Sequence, residues 1–427
     1  MSHKHAKLVA AAVAVLACVL VPAVVAAPSQ AVPNVGRDPA VIREWNAIAV
    51  RTIATENATP VPASPLYLAF TSIAMHDAVA TIEGGFEPYT ELPRPHANAS
   101  PEVAAATAAH HVLKYYFPNS AANLDADYAA FLADVPNGVG RVHGTRVGED
   151  AAAAIIALRV DDGRGDPHPL LAEPDIGVWR PTPDLLLPMA VPWLGFVDPL
   201  VIDSATQFAP PGPDPVDSAA YAVDFNEVKE KGALNGSTRT DDETATAVFW
   251  TANPVAQYHA VMRAETAQRG YDIGETARAF ALLGTSMGDT QISCWRAKFD
   301  EAYWRPITAV HEADGDGNDA TTADTEWKAL RETPPYPDYT SGHGCVTGSA
   351  SEVFGYLFGA DTIDIVVPST VQDRPDRPFA TSTALDDETM DARIWLGFHF
   401  RKAMTDANAL GHTVAGHVIA NTFQAVG

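Results

Sequence analysis

Ser64–Gly84 reads SPLYLAFTSIAMHDAVATIEG, and its pattern is that of a helix. Ser64 suits the N-cap and Pro65 the first helical position, where a missing N–H costs nothing. Leu66, Ala69, Phe70, Ile73 and Ala74 recur on one face of a 3.6-residue period, and Gly84-Gly85 ends the run. Similar signals mark helices over Val41–Glu56, Pro101–Tyr116, Val142–Val160, Ser218–Lys231, Glu243–Thr251, Gln257–Arg269 and Glu275–Ser286. Alanine-rich composition supports several of them. Ile363–Val367 is a short apolar run, too isolated to imply a sheet. Asp162–Pro215, rich in Pro, Asp and Gly, reads as a long ordered loop or a connection between bundles. The expected fold class is all-α.

A chain of 427 residues, 47% hydrophobic and 19% charged, is globular and long enough for a sizeable core. Its 28 Lys+Arg stand against 53 Asp+Glu, which argues against nucleic acid or an anionic membrane as a general partner. Lys4 and Lys7 precede an apolar run from Leu8 to Val25, and Val25-Ala26-Ala27 offers a small-residue cleavage site. Residues 1–27 therefore read as a signal peptide, giving an exported protein, secreted or associated with the cell envelope. No later stretch is apolar for long enough to span a membrane. The remainder divides into an N-terminal helical region, 28–290, and a region, 291–427, that carries the chemistry. In the mature chain Cys294 and Cys345 remain, and a disulfide and a pair of buried thiols are both open readings. Asp314, Asp316 and Asn318 alternate as in a calcium loop. Asp319 in place of the turn glycine and Thr325 in place of the closing glutamate make it a solvated loop.

Three stretches concentrate positive charge within this acidic protein: Lys298–Pro306 (KFDEAYWRP), Thr340–His343 (TSGH) and Arg393–His399 (RIWLGFH). Arginine forks and a lysine point charge suit a tetrahedral oxyanion. Lys298 and Arg305, seven apart, would share one face of a helix about 10 Å apart along its axis, with Pro306 ending it. Ser341-Gly342-His343 precedes a stripe of Val346, Ala350, Val353 and Leu357, which places it at a helix N-terminus, a favourable anion site. Arg393 and His399 would point apart on one straight helix, so a break at Gly397 is needed to bring them together.

In this order the motifs resemble the signature shared by vanadium-dependent haloperoxidases and PAP2-type acid and lipid phosphatases. In words, that signature is Lys, six residues, Arg-Pro; Pro-Ser-Gly-His; and Ser-Arg, five residues, His, three residues, Asp. The match runs from Lys298 to Ala403, with a weaker likeness upstream in Met75-His76-Asp77-Ala78 and Asn226–Trp250 to the soluble bacterial haloperoxidase branch. The resemblance implies helical bundles. It implies that Lys298, Arg305, Ser341, Gly342 and Arg393 hold vanadate or phosphate and that His399 ligates vanadium, or is the phosphorylated nucleophile. It makes His343 the proton-transfer residue and puts Trp295 and Tyr336 on the halide side. As a haloperoxidase the protein would use hydrogen peroxide and halide, with Lys298 polarising the peroxide, and would need no dedicated organic-substrate pocket. As a soluble acid phosphatase it would need no vanadate and would hydrolyse small phosphate esters. An oxyanion binder without turnover is the third reading.

The sequence departs from the signature at three places. Thr340 replaces its proline and Ala392 its serine. Ala403 stands where an aspartate should orient His399, so a backbone carbonyl or a nearby acid such as Asp406 would have to stand in.

Overall fold

Helix α2, Ser64–Glu83, is buried from Ser64 to Ala80 apart from the half-buried Tyr67, although its sequence suggests only one apolar face. Small residues around its circumference explain this, because they let neighbouring helices approach from several directions. It is enclosed by α1 (Ala40–Val50), α3 (Pro101–Tyr116), α5 (Val139–Leu158) and α9 (Ile273–Glu301). The computed structural model describes residues 37–183, 185–360 and 362–426, and the expected signal peptide lies outside them. The described residues form one compact unit.

The expected all-α fold is what the chain adopts, with 58% of the described residues in helices. Between α3 and α5 lies α4 (Ala121–Ala133), and α6 (Ala219–Gly232), α7 (Asp241–Phe249) and α8 (Pro254–Gln268) precede α9. After it come α10 (Pro306–Glu312), α11 (Gly342–Phe358), α12 (Ser382–Trp395) and α13 (Arg401–Asn421). The apolar run near Ile363 does form a strand, β1 (Ile365–Val367), paired antiparallel with β2 (Arg377–Phe379). Among the described residues these two strands make the only sheet.

The axis of the molecule is α9. The sequence pattern stops near Ser286 because Asp289, Thr290, Gln291 and Ser293 interrupt the apolar stripe, yet all four are buried. Asp289 shows how burial is compensated: its carboxylate accepts the amides of Leu200, Val201 and Ile202 at 2.6, 2.7 and 3.0 Å. That bond set pins the Pro-rich connection to the helix. The 290/291 boundary drawn from the sequence falls within α9, so the two regions share one helix.

Helices α11 and α13 meet backbone to backbone. A methyl added at Gly348 would lie 2.2 Å from the Asn408 carbonyl, and one at Gly411 would lie 2.4 Å from that of Cys345. A second close approach joins distant segments. Gly397, at φ +78°, sits so near Gly232 that a methyl on it would lie 2.7 Å from the Gly232 carbonyl. The amide of Leu330 ties the pair, donating to Gly232 and Leu396 at 3.1 Å each.

Lys298 and Arg305 do not share a helix. Helix α9 ends at Glu301, where Ala302 takes a left-handed conformation at φ 42°. Trp179 donates its amide to the Ala302 carbonyl at 2.6 Å, drawing the chain out of the helical path. Arg305 is extended at the N-cap of α10, and Pro306 begins that helix rather than ending the previous one.

Candidate active site

The last turns of α9 carry Trp295 and Lys298, and Arg305 follows from the cap of α10. Lys298 is fully buried, with Nζ donating to the carbonyls of Pro337 and Asp338 at 2.7 and 3.1 Å. It lies over the rings of Trp295 and Tyr336, 5.5 and 5.0 Å from their centroids. Arg305 donates Nε to the Tyr336 carbonyl and Nη1 to that of Phe398, both at 2.7 Å. Its Nη1 is also 3.2 Å from His399 Nε2, while Nη2 is buried with no partner in the protein.

Ser341 is the N-cap of α11, and its Oγ accepts the Gly344 amide at 3.3 Å. The first amides of a helix lack intrahelical partners, so Gly342 and His343 present N–H groups to whatever lies in front. His343 hydrogen-bonds to the backbone of Ala252 and leaves Nε2 buried without a partner. Arg393, near the end of α12, donates Nη1 to the Trp250 carbonyl at 2.9 Å and keeps Nε unpaired. Gly397 then turns the chain out of α12, and His399 arrives on the same side as Arg393.

The structure thus brings Lys298, Arg305, Ser341, Gly342, His343, Arg393 and His399 to one place. Trp295, Tyr336, Gly342, His343 and Arg393 line a cavity of about 450 Å³, while Lys298, Arg305, Ser341 and His399 are buried and are not part of its lining. Val61, Pro254, Val255 and Phe398 give it apolar walls. A chamber of this size is within the range of small-molecule sites.

Burial governs the electrostatics. It lowers Lys298 to about 8, with Cys294 pulling upward and Arg305 downward, and it lowers Arg393 to about 9. Burial also holds His343 and His399 well below the ordinary imidazole range, reinforced by Arg393 for the first and Arg305 for the second. Burial thus favours the neutral form of both imidazoles. Two of the buried cations, Lys298 and Arg305, face one carboxylate, Asp338, which burial raises to about 7 against their pull.

Asp338 escaped the sequence reading. Its Oδ1 accepts His399 Nδ1 at 2.8 Å, and both side chains are about 1% exposed. The stand-in suggested by proximity in sequence, Asp406, is engaged elsewhere, with Tyr339 Oη at 2.6 Å and Lys402 Nζ at 2.9 Å. The available signal was an acid three residues before Ser341, inside the same proline-punctuated run as Tyr336. The carbonyls of Trp250 and Ala252 were invisible because a backbone group leaves no mark in sequence. Cys294 and Cys345 are free, buried thiols on either side of the Thr340 hydroxyl, 3.4 and 3.6 Å from it.

Among the described residues no group of three or more His, Cys, Asp or Glu is placed to hold a metal ion directly. A metal entering this site would come as an oxyanion, held by cations and a single imidazole. The orphaned donors Arg305 Nη2 and Arg393 Nε, with unpaired His343 Nε2, fit such an anion.

Residues 278–426 match the family model described as the VCPO second helical-bundle domain. The chain is 26% identical over 372 residues to the vanadium chloroperoxidase of Curvularia inaequalis, covering 68% of this chain. It spans 60% of that relative's length. In fold it is similar to the first bacterial vanadium-dependent iodoperoxidase, with a TM-score of 0.80 at 24% identity, covering 91% of this chain and 98% of that one. It is also similar to an apo-type bacterial vanadium-dependent chloroperoxidase, with a TM-score of 0.69 at 16% identity, covering 84% and 92%. The resemblance read from the three motifs agrees with these matches, which are to vanadium haloperoxidases.

Proposed function

We propose that the protein is an exported vanadium-dependent haloperoxidase, oxidising halide with hydrogen peroxide. The observation that carries this reading is the excess of buried positive charge. Lys298, Arg305 and Arg393 converge with Asp338 as the only carboxylate acting on them, and two guanidinium nitrogens lack partners. Buried cations are expensive unless an anion compensates them, so the site suits a multiply charged oxyanion. Lys298, Arg305, Arg393, Ser341 and the amide of Gly342 would hold vanadate, and His399 would be its one protein ligand.

Bound vanadate supplies Lewis acidity, which makes peroxide electrophilic toward halide. The remaining work belongs to the protein. His343, with Nε2 unpaired at the cavity wall and its neutral form favoured by burial, would accept the proton that peroxide loses on binding. Lys298, held between two carbonyls and two aromatic rings, stabilises negative charge developing on oxygen. Trp295 and Tyr336, with centroids 5.1 Å apart, form a wall that suits a weakly hydrated halide and excludes bulk water. Residues 1–27 would direct export and be removed.

The test is halide oxidation by purified protein with and without added vanadate, at several pH values. Iodide or bromide oxidation that depends on both vanadate and peroxide is the expected result. Hydrolysis of a phosphate monoester without metal, inhibited by vanadate and with no halide oxidation, would overturn the reading in favour of a phosphatase.

A further inference from the structure

We propose that Asp338 is the positioning residue for His399, replacing from the opposite side the aspartate that the signature places at position 403. This deepens the vanadate reading and rests on it for the effect on vanadate, though the geometry stands by itself.

Arg305 Nη1 lies 3.2 Å from His399 Nε2 and 3.4 Å from Nδ1, so it does not distinguish the two ring nitrogens. Asp338 does, with Oδ1 2.8 Å from Nδ1. A carboxylate accepts, so it favours the form with hydrogen on Nδ1 and a lone pair on Nε2. That is the form needed to bind a Lewis-acidic centre through Nε2.

The carboxylate is itself held rigidly. Its backbone amide donates to the Tyr303 carbonyl at 2.9 Å, and its own carbonyl accepts Lys298 Nζ at 3.1 Å. It shares a cavity of about 10 Å³ with Ala403, so the side chain missing from position 403 leaves no large void. The two positions thus face the same space, and the acid has changed places rather than disappeared.

A purely structural role fits the bonding poorly. Asp289, a buried structural acid in this molecule, accepts three amides from one loop. Asp338 has the Phe400 amide beside it but turns Oδ1 to the His399 ring at 2.8 Å.

The experiment uses the full chain labelled with ¹⁵N at histidine, with His399 identified by the signals lost in His399→Gln. Long-range proton–nitrogen correlation reads its tautomer, and equilibrium dialysis with orthovanadate reads affinity. We expect a single Nδ1–H tautomer in the wild type. In Asp338→Ala the tautomers should mix, and vanadate should bind about 10- to 100-fold more weakly. Asp338→Ala combined with Ala403→Asp should restore both. Should Asp338→Ala fail to fold, Asp338→Asn preserves shape, and its amide should disturb the tautomer and weaken binding likewise. An unchanged tautomer and affinity on loss of the carboxylate, or a double variant no better than the single one, would overturn the proposal. A wild type that shows the Asp338-dependent tautomer but binds no vanadate would sustain the positioning role while sinking the haloperoxidase reading.

Discussion

Trp250 serves Arg393 with its backbone and the protein's periphery with its side chain. Its carbonyl accepts Arg393 Nη1 at 2.9 Å, and its indole Nε1 donates to Glu388 at 2.9 Å. Arg377 forks onto the same carboxylate at 2.6 and 2.5 Å. Because Trp250 is fully buried, Trp250→Ala should cost about 3–5 kcal/mol in urea unfolding. Trp250→Phe keeps most of the packing and the carbonyl, and should cost about 1 kcal/mol through the lost indole bond. An alanine variant as stable as wild type would show that the peg carries little.

The two site histidines should separate binding from turnover. His399→Ala is expected to abolish vanadate binding in equilibrium dialysis, and halide oxidation with it. His343→Ala should retain binding yet slow peroxide-dependent turnover by about 10²- to 10⁴-fold, the usual worth of a proton-transfer group. A reversed pattern, with His343→Ala losing vanadate and His399→Ala keeping it, would exchange their assignments.

Close packing between α11 and α13 predicts a steric effect remote from the chemistry. Gly348→Ala places a methyl 2.2 Å from the Asn408 carbonyl, so a helix must shift, at about 1–3 kcal/mol. Gly138→Ala meets open space and has an extended backbone, so it should change stability by less than about 0.5 kcal/mol. Chemical denaturation of both variants checks the difference.

Alkaline pH should loosen the C-terminal pair of helices through His412. Burial opposes its charge, but hydrogen bonds with Asp386 and Glu352 outweigh that and push it up to about 9. A folded value above the unfolded 6.5 means that this stabilisation is complete below 6.5 and is lost as pH rises through about 9. His412→Gln should therefore be less stable than wild type at neutral pH and converge with it above the upper value. Melting temperatures measured across that range would decide; a constant gap at all pH values would remove His412 as the cause.

Much of the fold was legible because several helices announce themselves by both stripe and cap. Ser100 and Ser218 accept the amides of Val103 and Tyr221, as N-cap chemistry requires. The second half of α9 was hidden by its polar residues, since only tertiary partners such as the Leu200–Ile202 amides make a buried Asp289 tolerable. Helix α4 was missed: Leu124 is its one fully buried residue, so tertiary contact leaves little apolar pattern to read. At the site, side-chain types could be read from spacing, but their arrangement could not. Ala302 breaks the helix between Lys298 and Arg305 without any glycine or proline at that point. Ala403 directed attention downstream, toward Asp406, whereas the acid that meets His399 lies 61 positions earlier.

The contact between Gly232 and Gly397 bears on when the protein becomes competent during its own synthesis and folding. Every side chain assigned to the oxyanion lies after residue 290, yet the turn that delivers His399 is shaped against a backbone carbonyl 165 positions upstream. Arg393 and His343 likewise lean on carbonyls at 250 and 252. Contacts of such long separation form late, since the intervening chain must be closed before they can reward it. Affinity for the anion is therefore a property of the finished tertiary structure, and a fragment beginning at residue 291 would carry the whole motif without the capacity to bind.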